Sequence, residues 1–265
     1  MINQKPPSVL YHYTTQDGLL GILKESTLRA TKIQYLNDAS ELVMPLQLAK
    51  DILTERKIKL SEHEPQREKV IEMLDEVGAV PNINICVFAF CTERDCLSQW
   101  RAYGIPGSAY SIGFSSAKLD ETLTPSGFKL CPCDYYEVEE QHKIIEEFIN
   151  QSIESATPRQ FIGELLIKAS AMKHKAFKDE GEWRLVSMAP RSYEDNEFGF
   201  RPGISTVVPY YSLPLDLSCI VEIIVGPSPH PELAKDAVRG LCHRYNLKDV
   251  GGWHIKNSKI PFRNW

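Results

Sequence analysis

The chain has 265 residues, 43% of them hydrophobic and 25% charged, the make-up of an ordinary globular protein and not of a disordered, collagenous or low-complexity one. Its formal net charge of -5 excludes a chain that coats nucleic acid by general electrostatics, which needs clustered lysine and arginine, but leaves room for a local basic groove. Seven cysteines, an odd number set mostly in apolar surroundings, point to reduced thiols, and no run approaches the ~20 apolar residues of a membrane span, so a cytoplasmic, non-membrane protein is expected.

The leader "MINQKPPSVL" has neither the apolar stretch of a secretory signal nor an arginine-rich amphipathic pattern. Val9–Thr15 then reads as a strand, and "TTQDGLLGILKEST" switches to helical spacing, with Leu19, Leu20, Ile22 and Leu23 on one side and a capping box from Thr14 to Asp17. A short strand over Leu28–Leu36 precedes a second helix start, where Asp38 and Glu41 form another capping box. Residues 62–78 read as a charged amphipathic helix and Ile83–Thr92 as a fully buried strand. "LSQWRAYG" gives one or two helical turns closed by Gly104, Ser108–Ser115 alternates as a strand, and Gly127–Val138 is extended. Residues 139–178 are helical with a break at Pro158, and a strand opens over Glu182–Met188. The remainder holds the extended "GISTVVPYYSL", the apolar run Ser218–Pro227, a helix from about Pro231 to Tyr245, and an extended tail.

Strands interrupted by two helical blocks predict an α+β architecture with mostly antiparallel strands. One domain over residues 1–265 is expected, with helical insertions near 38–78 and 139–178. The charged residues of 41–77 leave a narrow apolar stripe, so that region should cover one side of the sheet or form a lid.

Several side chains have both a structural and a functional reading. His12, in "YHYT", is either a core histidine satisfied by backbone or a ligand-facing ring. Asn37, Asp38 and Glu41 cap a helix, which is what such residues do there, or border a site. Glu180 and Glu182 would project side by side if a strand starts near Gly181, and such close like charges demand a cationic partner. Arg184, Lys175 and Lys178 are candidates for it, giving a solvated ion cluster; alternatively the pair, beside Trp183, holds a sugar hydroxyl and steadies a developing cation. Trp100, Arg101 and Tyr103 are core anchors or pocket walls. Cys131 and Cys133 are too closely spaced for a usual zinc site, and there is no phosphate loop, dinucleotide fingerprint or nucleophile elbow.

Taken together, "YHYTTQDGLLGIL", "YLNDASE", "LSQWRAYG" followed by "SIGF", "EGEWRLV", "IVEIIVGP" and "IPFR" resemble, in order over nearly the whole chain, the bacterial domain-of-unknown-function family 2971. That family is similar to a distant branch of the ADP-ribosyltransferases. The resemblance implies an ADP-ribosyltransferase-like split, mostly antiparallel sheet, NAD as substrate, and a toxin or anti-phage setting with a neutralising or sensor protein partner. It further implies His12 on the first strand holding a ribose hydroxyl, Tyr35 against nicotinamide, Glu182 facing the sugar cation, and Glu180 orienting the acceptor. Tyr13, Thr14, Asn37, Trp100, Tyr103 and Arg184 would complete the NAD pocket, with Tyr103 and Tyr110 as rivals for the aromatic role. The acceptor would be a protein, a nucleic acid or water. The alternatives from other classes are a non-catalytic nucleotide-sensing or partner-binding module and a nuclease holding a divalent ion with Glu180, Glu182 and His12.

Overall fold

The computed structural model describes residues 4–36, 39–80, 83–104, 108–203, 205–247 and 254–261. Its twelve strands are β1 (Val9–Thr15), β2 (Thr27–Lys32), β3 (Cys86–Cys91), β4 (Ala109–Ser115), β5 (Phe128–Pro132), β6 (Asp134–Tyr136), β7 (Met172–His174), β8 (Glu182–Ser187), β9 (Phe198–Pro202), β10 (Val207–Pro214), β11 (Ile220–Val225) and β12 (Ile255–Asn257). The helices are α1 (Gln16–Glu25), α2 (Ala39–Lys59), α3 (Pro65–Ala79), α4 (Leu97–Tyr103), α5 (Ser116–Leu123), α6 (Val138–Ser155), α7 (Pro158–Ala171) and α8 (Pro231–Arg244). The class is α+β: a ten-stranded sheet, antiparallel at every pairing but β11 with β12, and a small parallel pair of β6 with β7.

The sheet forks at β3. β8 takes one edge of β3 along nearly all of it, from Val87 paired with Val186 to Cys91 paired with Glu182. β1 and β2 must therefore share the other edge, and they meet it at opposite ends: Tyr11 opposite Cys91, and Thr31 and Lys32 opposite Val87 and Cys86. Between these contacts the two strands part. One arm continues through β1, β4, β11 and β12, the other through β2, β10 and β9.

Strand periodicity sends alternate residues to two cores. Phe88, Phe90, Trp183 and Leu185 join Leu10, Ile112 and Phe114 under α1, α5 and α8. Val87 and Val186 face the opposite way into a helical layer of α2, α3, α6 and α7, packed through Leu53, Val70, Met73, Ile149, Phe161 and Leu165. The helical region 41–77 thus lies in a layer on one side of the sheet, together with the second helical block. A third, smaller cluster groups Tyr11, Tyr13, Cys91 and Trp100.

Local expectations shift in instructive ways. Thr15, not Thr14, caps α1, accepting from the Gly18 amide at 3.3 Å, because the strand runs one residue further. The second strand ends at Lys32, and Tyr35 lies in a 3-10 turn over Ile33–Tyr35. The edge strand β9, rich in glycine and aromatic residues, carried no strand signal of its own. Asn37 and Asp38 lie outside the described residues, as does the Glu41 side chain.

Candidate active site

Where β1 and β2 part, a cleft of about 930 Å³ opens over the bare edge of β3. It is large enough for a dinucleotide-sized ligand. β3 lines its floor with Val87, Phe88 and Ala89; β1 and α1 give one wall, β2 and Tyr35 another, and Tyr103, Glu180, Glu182 and Arg184 close the end. Because the fork breaks the sheet, the cleft is lined from both faces, with His12 and Phe88 from one and Glu182 and Arg184 from the other.

His12 is anchored to the floor. Its Nδ1 lies 3.0 Å from the carbonyl of Ala89, and a carbonyl only accepts, so Nδ1 carries the proton and Nε2 is left as an acceptor. The ring lies against Phe88, centroids 4.3 Å apart. Burial lowers its pKa to about 4 against a smaller opposing effect of the Ala89 bond, so the imidazole is neutral at physiological pH.

At the other end, Glu182 begins β8 with its side chain only 11% exposed. Arg184 Nε donates to its Oε1 at 2.5 Å, while Arg184 Nη2 and Lys173 Nζ donate to Oε2 at 3.0 and 2.6 Å. Burial alone would push the Glu182 carboxyl up, but Arg184 and then Lys173 outweigh it and hold the pKa below the ordinary value. The three donors use most of the roughly four lone-pair sites of a carboxylate and leave Oε1 able to accept once more. The Glu182 amide donates to the Tyr135 hydroxyl at 2.8 Å, which fixes the strand mouth.

The two glutamates do not share a strand. Glu180 ends a 3-10 helix over Lys175–Glu180, and Gly181, with φ of +52°, turns the chain into β8. They meet through Lys173, whose Nζ is 2.6 Å from Glu180 Oε2 as well as from Glu182 Oε2. Lys173 is a cleft-lining residue that sequence spacing missed. It lies in the three-residue β7, seven residues before Glu180 in what read as continuous helix. Lys175, an expected partner, reaches Glu137 instead at 3.6 Å.

Of the other anticipated residues, Thr14 and Tyr35 line the cleft, Tyr35 with 40% exposure. Tyr103 does too, its phenol pushed up to about 12 by burial first and by Glu182 and Glu180 second. Its rival Tyr110 is a buried core residue. Tyr13 and Trp100 do not line the cleft, because Tyr13 neighbours His12 on a strand and so faces the opposite way. The Tyr13 hydroxyl donates to Glu93 O and accepts from the Cys96 amide, its ring packs edge-on against Trp100, and the Trp100 indole donates to Asp95 at 2.8 Å. Arg29 and Arg201, unanticipated, add two cations to the β2 side. Arg29 donates from Nη2 to both Glu25 carboxylate oxygens, at 2.6 and 2.8 Å.

Fold and site together define an α+β protein whose forked, mostly antiparallel sheet carries a histidine and a cation-bound glutamate pair in one cleft. Residues 99–185 match the model of the family described as "Protein of unknown function (DUF2971)", a stretch that contains Tyr103, Lys173, Glu180, Glu182 and Arg184 and leaves out His12 and Tyr35. No curated protein matches the chain. Two solved structures of DarT from Thermus sp. 2.9 align with it at 14% identity. The complex with ADP-ribosylated ssDNA has a TM-score of 0.35 and covers 98% of this chain and 98% of that one. The complex with NAD+ has a TM-score of 0.34 and covers 97% and 98%. No described helix is long and apolar enough to cross a membrane.

Proposed function

We propose that the protein is an NAD-dependent ADP-ribosyltransferase-like enzyme that cleaves the bond between nicotinamide and ribose and passes ADP-ribose to a macromolecule or to water. The observation that supports this reading is the pairing, in one cleft, of a neutral histidine that can only accept at Nε2 with a buried glutamate that stays ionised. Departure of nicotinamide takes the bonding electron pair with it and leaves an oxocarbenium-like ribose. A fixed carboxylate facing that centre favours the transition state over the ground state. Glu182 fills that role, and the remaining acceptor site of Oε1 takes a ribose hydroxyl. His12 Nε2 accepts from another hydroxyl. Tyr35 or Tyr103 packs on the nicotinamide ring, and Glu180 receives the proton of the attacking acceptor.

One observation favours a second reading, a nucleotide-binding module without turnover: the hydrogen bonds that Glu182 makes to Lys173 and Arg184 are also those of a purely structural ion cluster. A metal-assisted nuclease fits less well, since the Lys173 ammonium already occupies the point between the carboxylates where a divalent ion would bind. Incubation with labelled NAD and cell lysate, followed by separation of nicotinamide, protein, nucleic acid and free ADP-ribose, tests the reading. Nicotinamide release is the expected result; binding of NAD without release favours the second reading.

A further inference from the structure

Lys173 is 4% exposed and reaches the cleft from the face opposite α1, delivered at the end of the second helical block. Its place is fixed from several directions. α7 ends at Ala171, the Arg184 guanidinium bonds Ser170 O at 2.8 Å at that helix end, and Gln141 of α6 donates to the Lys173 carbonyl at 3.3 Å. The ammonium lies 5.2 Å from the Phe177 ring centroid and 2.6 Å from each of the two carboxylate oxygens. Those oxygens therefore cannot be further apart than twice that distance. Two carboxylates so close repel each other strongly in a half-buried site unless a cation stands between them.

We propose that Lys173 is the positioning residue of the glutamate pair, an ammonium supplied by the helical block that holds Glu180 and Glu182 side by side, one toward the sugar and one toward the acceptor. This deepens the transferase reading and rests on it for the two directions; the bridge itself does not. The block of α6 and α7 then has a function beyond covering the sheet, since it delivers the ammonium that stands between the two acids at the strand mouth. Arg184 is already committed, bonding both Glu182 oxygens and the carbonyl at the α7 end. The other titratable groups around the pair include Tyr103 on α4, Cys91 on β3, Cys131 on β5, Tyr135 on β6 and Cys133 ahead of β6, all with pKa values moved upward, chiefly by burial. All five are neutral at physiological pH and do not replace the ammonium.

The test follows Glu182 by carbon NMR of glutamate-labelled protein and Lys173 by its side-chain nitrogen resonance. In the wild type the Lys173 signal should move as the pH is lowered through the titration of both glutamates, and a signal that senses neither overturns the bridge without recourse to any variant. In Lys173→Met the Glu182 titration should rise by about one pH unit or more, as expected on losing a cation within hydrogen-bond distance, and Lys173→Arg should bring it back toward the wild type. An unchanged Glu182 titration in folded Lys173→Met also overturns the proposal. The acid limb of nicotinamide release should shift in the same sense and by a similar amount, an effect that a merely structural lysine would not produce. If the wild type releases no nicotinamide, the transferase reading falls, while the two titrations still decide the bridge.

Discussion

His12 Nδ1 bonds the carbonyl of Ala89 across the gap where β1 and β2 separate, so one side chain closes what a strand pairing leaves open. The bond fixes the tautomer, and burial lowers the pKa from 6.5 to about 4. In the unfolded chain the ring takes its proton first. Stability is therefore fully present above pH 6.5 and is lost as pH falls toward 4, by up to about 3 kcal/mol from this group. Plots against pH of the stability from urea titrations should differ between wild type and His12→Asn by up to about 1.4 kcal/mol per pH unit across that range; parallel plots would show that the ring takes its proton at the same pH folded and unfolded.

Gly181 has a positive φ of 52°, and a Cβ there would come within 2.4 Å of Thr92 Oγ1. Gly181→Ala should cost about 1–3 kcal/mol through left-handed backbone strain and the displaced threonine, and should misalign Glu180 against Glu182. Gly163 is the control: it lies inside α7 with nothing within 4 Å of its would-be Cβ. Gly163→Ala should stabilise the protein by about 0.5–1 kcal/mol. Denaturation midpoints of both variants check the pair of signs.

The strands that hold the site were legible in the sequence because their apolar runs are long: β1, β3, β8 and β11 all fall where the pattern put them. Legible too was the gathering of His12, Glu180 and Glu182 into one cleft. Three things were not. The turn at Gly181 replaces same-face alternation with a change of element, so the glutamates meet by tertiary contact and not by strand period. Lys173 lies in a short strand that pairs with β6, a contact no local pattern encodes. The separation of Tyr13 and Trp100 from the cleft follows from which face of β1 turns inward, and "YHYT" is apolar enough on both faces to leave that undecided.

Asp95 ties the chain end to the far side of this architecture. Its Oδ1 accepts from the Trp100 indole at 2.8 Å and from the Ser258 hydroxyl at 2.6 Å, and its Oδ2 accepts from the Lys259 amide at 2.8 Å. Asp95→Ala would strip three donors at once and should cost about 1–3 kcal/mol. Hydrogen exchange should rise at the Lys259 amide and the Trp100 indole, while the Ile223 to Ile255 pairing of β11 with β12 stays protected. Unchanged exchange at Lys259 would mean that the segment is held by other contacts.

Glu182→Gln is the decisive change for mechanism, and its structural setting makes it a costly one. The substitution keeps size but removes the charge that balances Arg184 and Lys173, whose side chains are 5% and 4% exposed. Breaking one member of a buried ion cluster costs about 3 kcal/mol or more, so the melting temperature should fall and turnover must be read well below it. There, nicotinamide release should drop by ~100-fold or more, the scale on which one well-placed electrostatic group matters to a transition state. NAD binding, followed by the shift it gives to the melting temperature, should suffer much less, because the ground-state sugar carries no cation. Glu180→Gln separates the two carboxylates by role. Glu180 has a side chain 29% exposed and bonds Lys173 alone among the described ion pairs, so its loss should disturb the fold less. It should reduce labelling of an acceptor more than it reduces nicotinamide release, since the proton it receives belongs to the attacking group and not to the leaving one. Equal loss of both activities in the two variants would assign the glutamates to one shared role, and undiminished release from Glu182→Gln would remove Glu182 from the chemistry altogether.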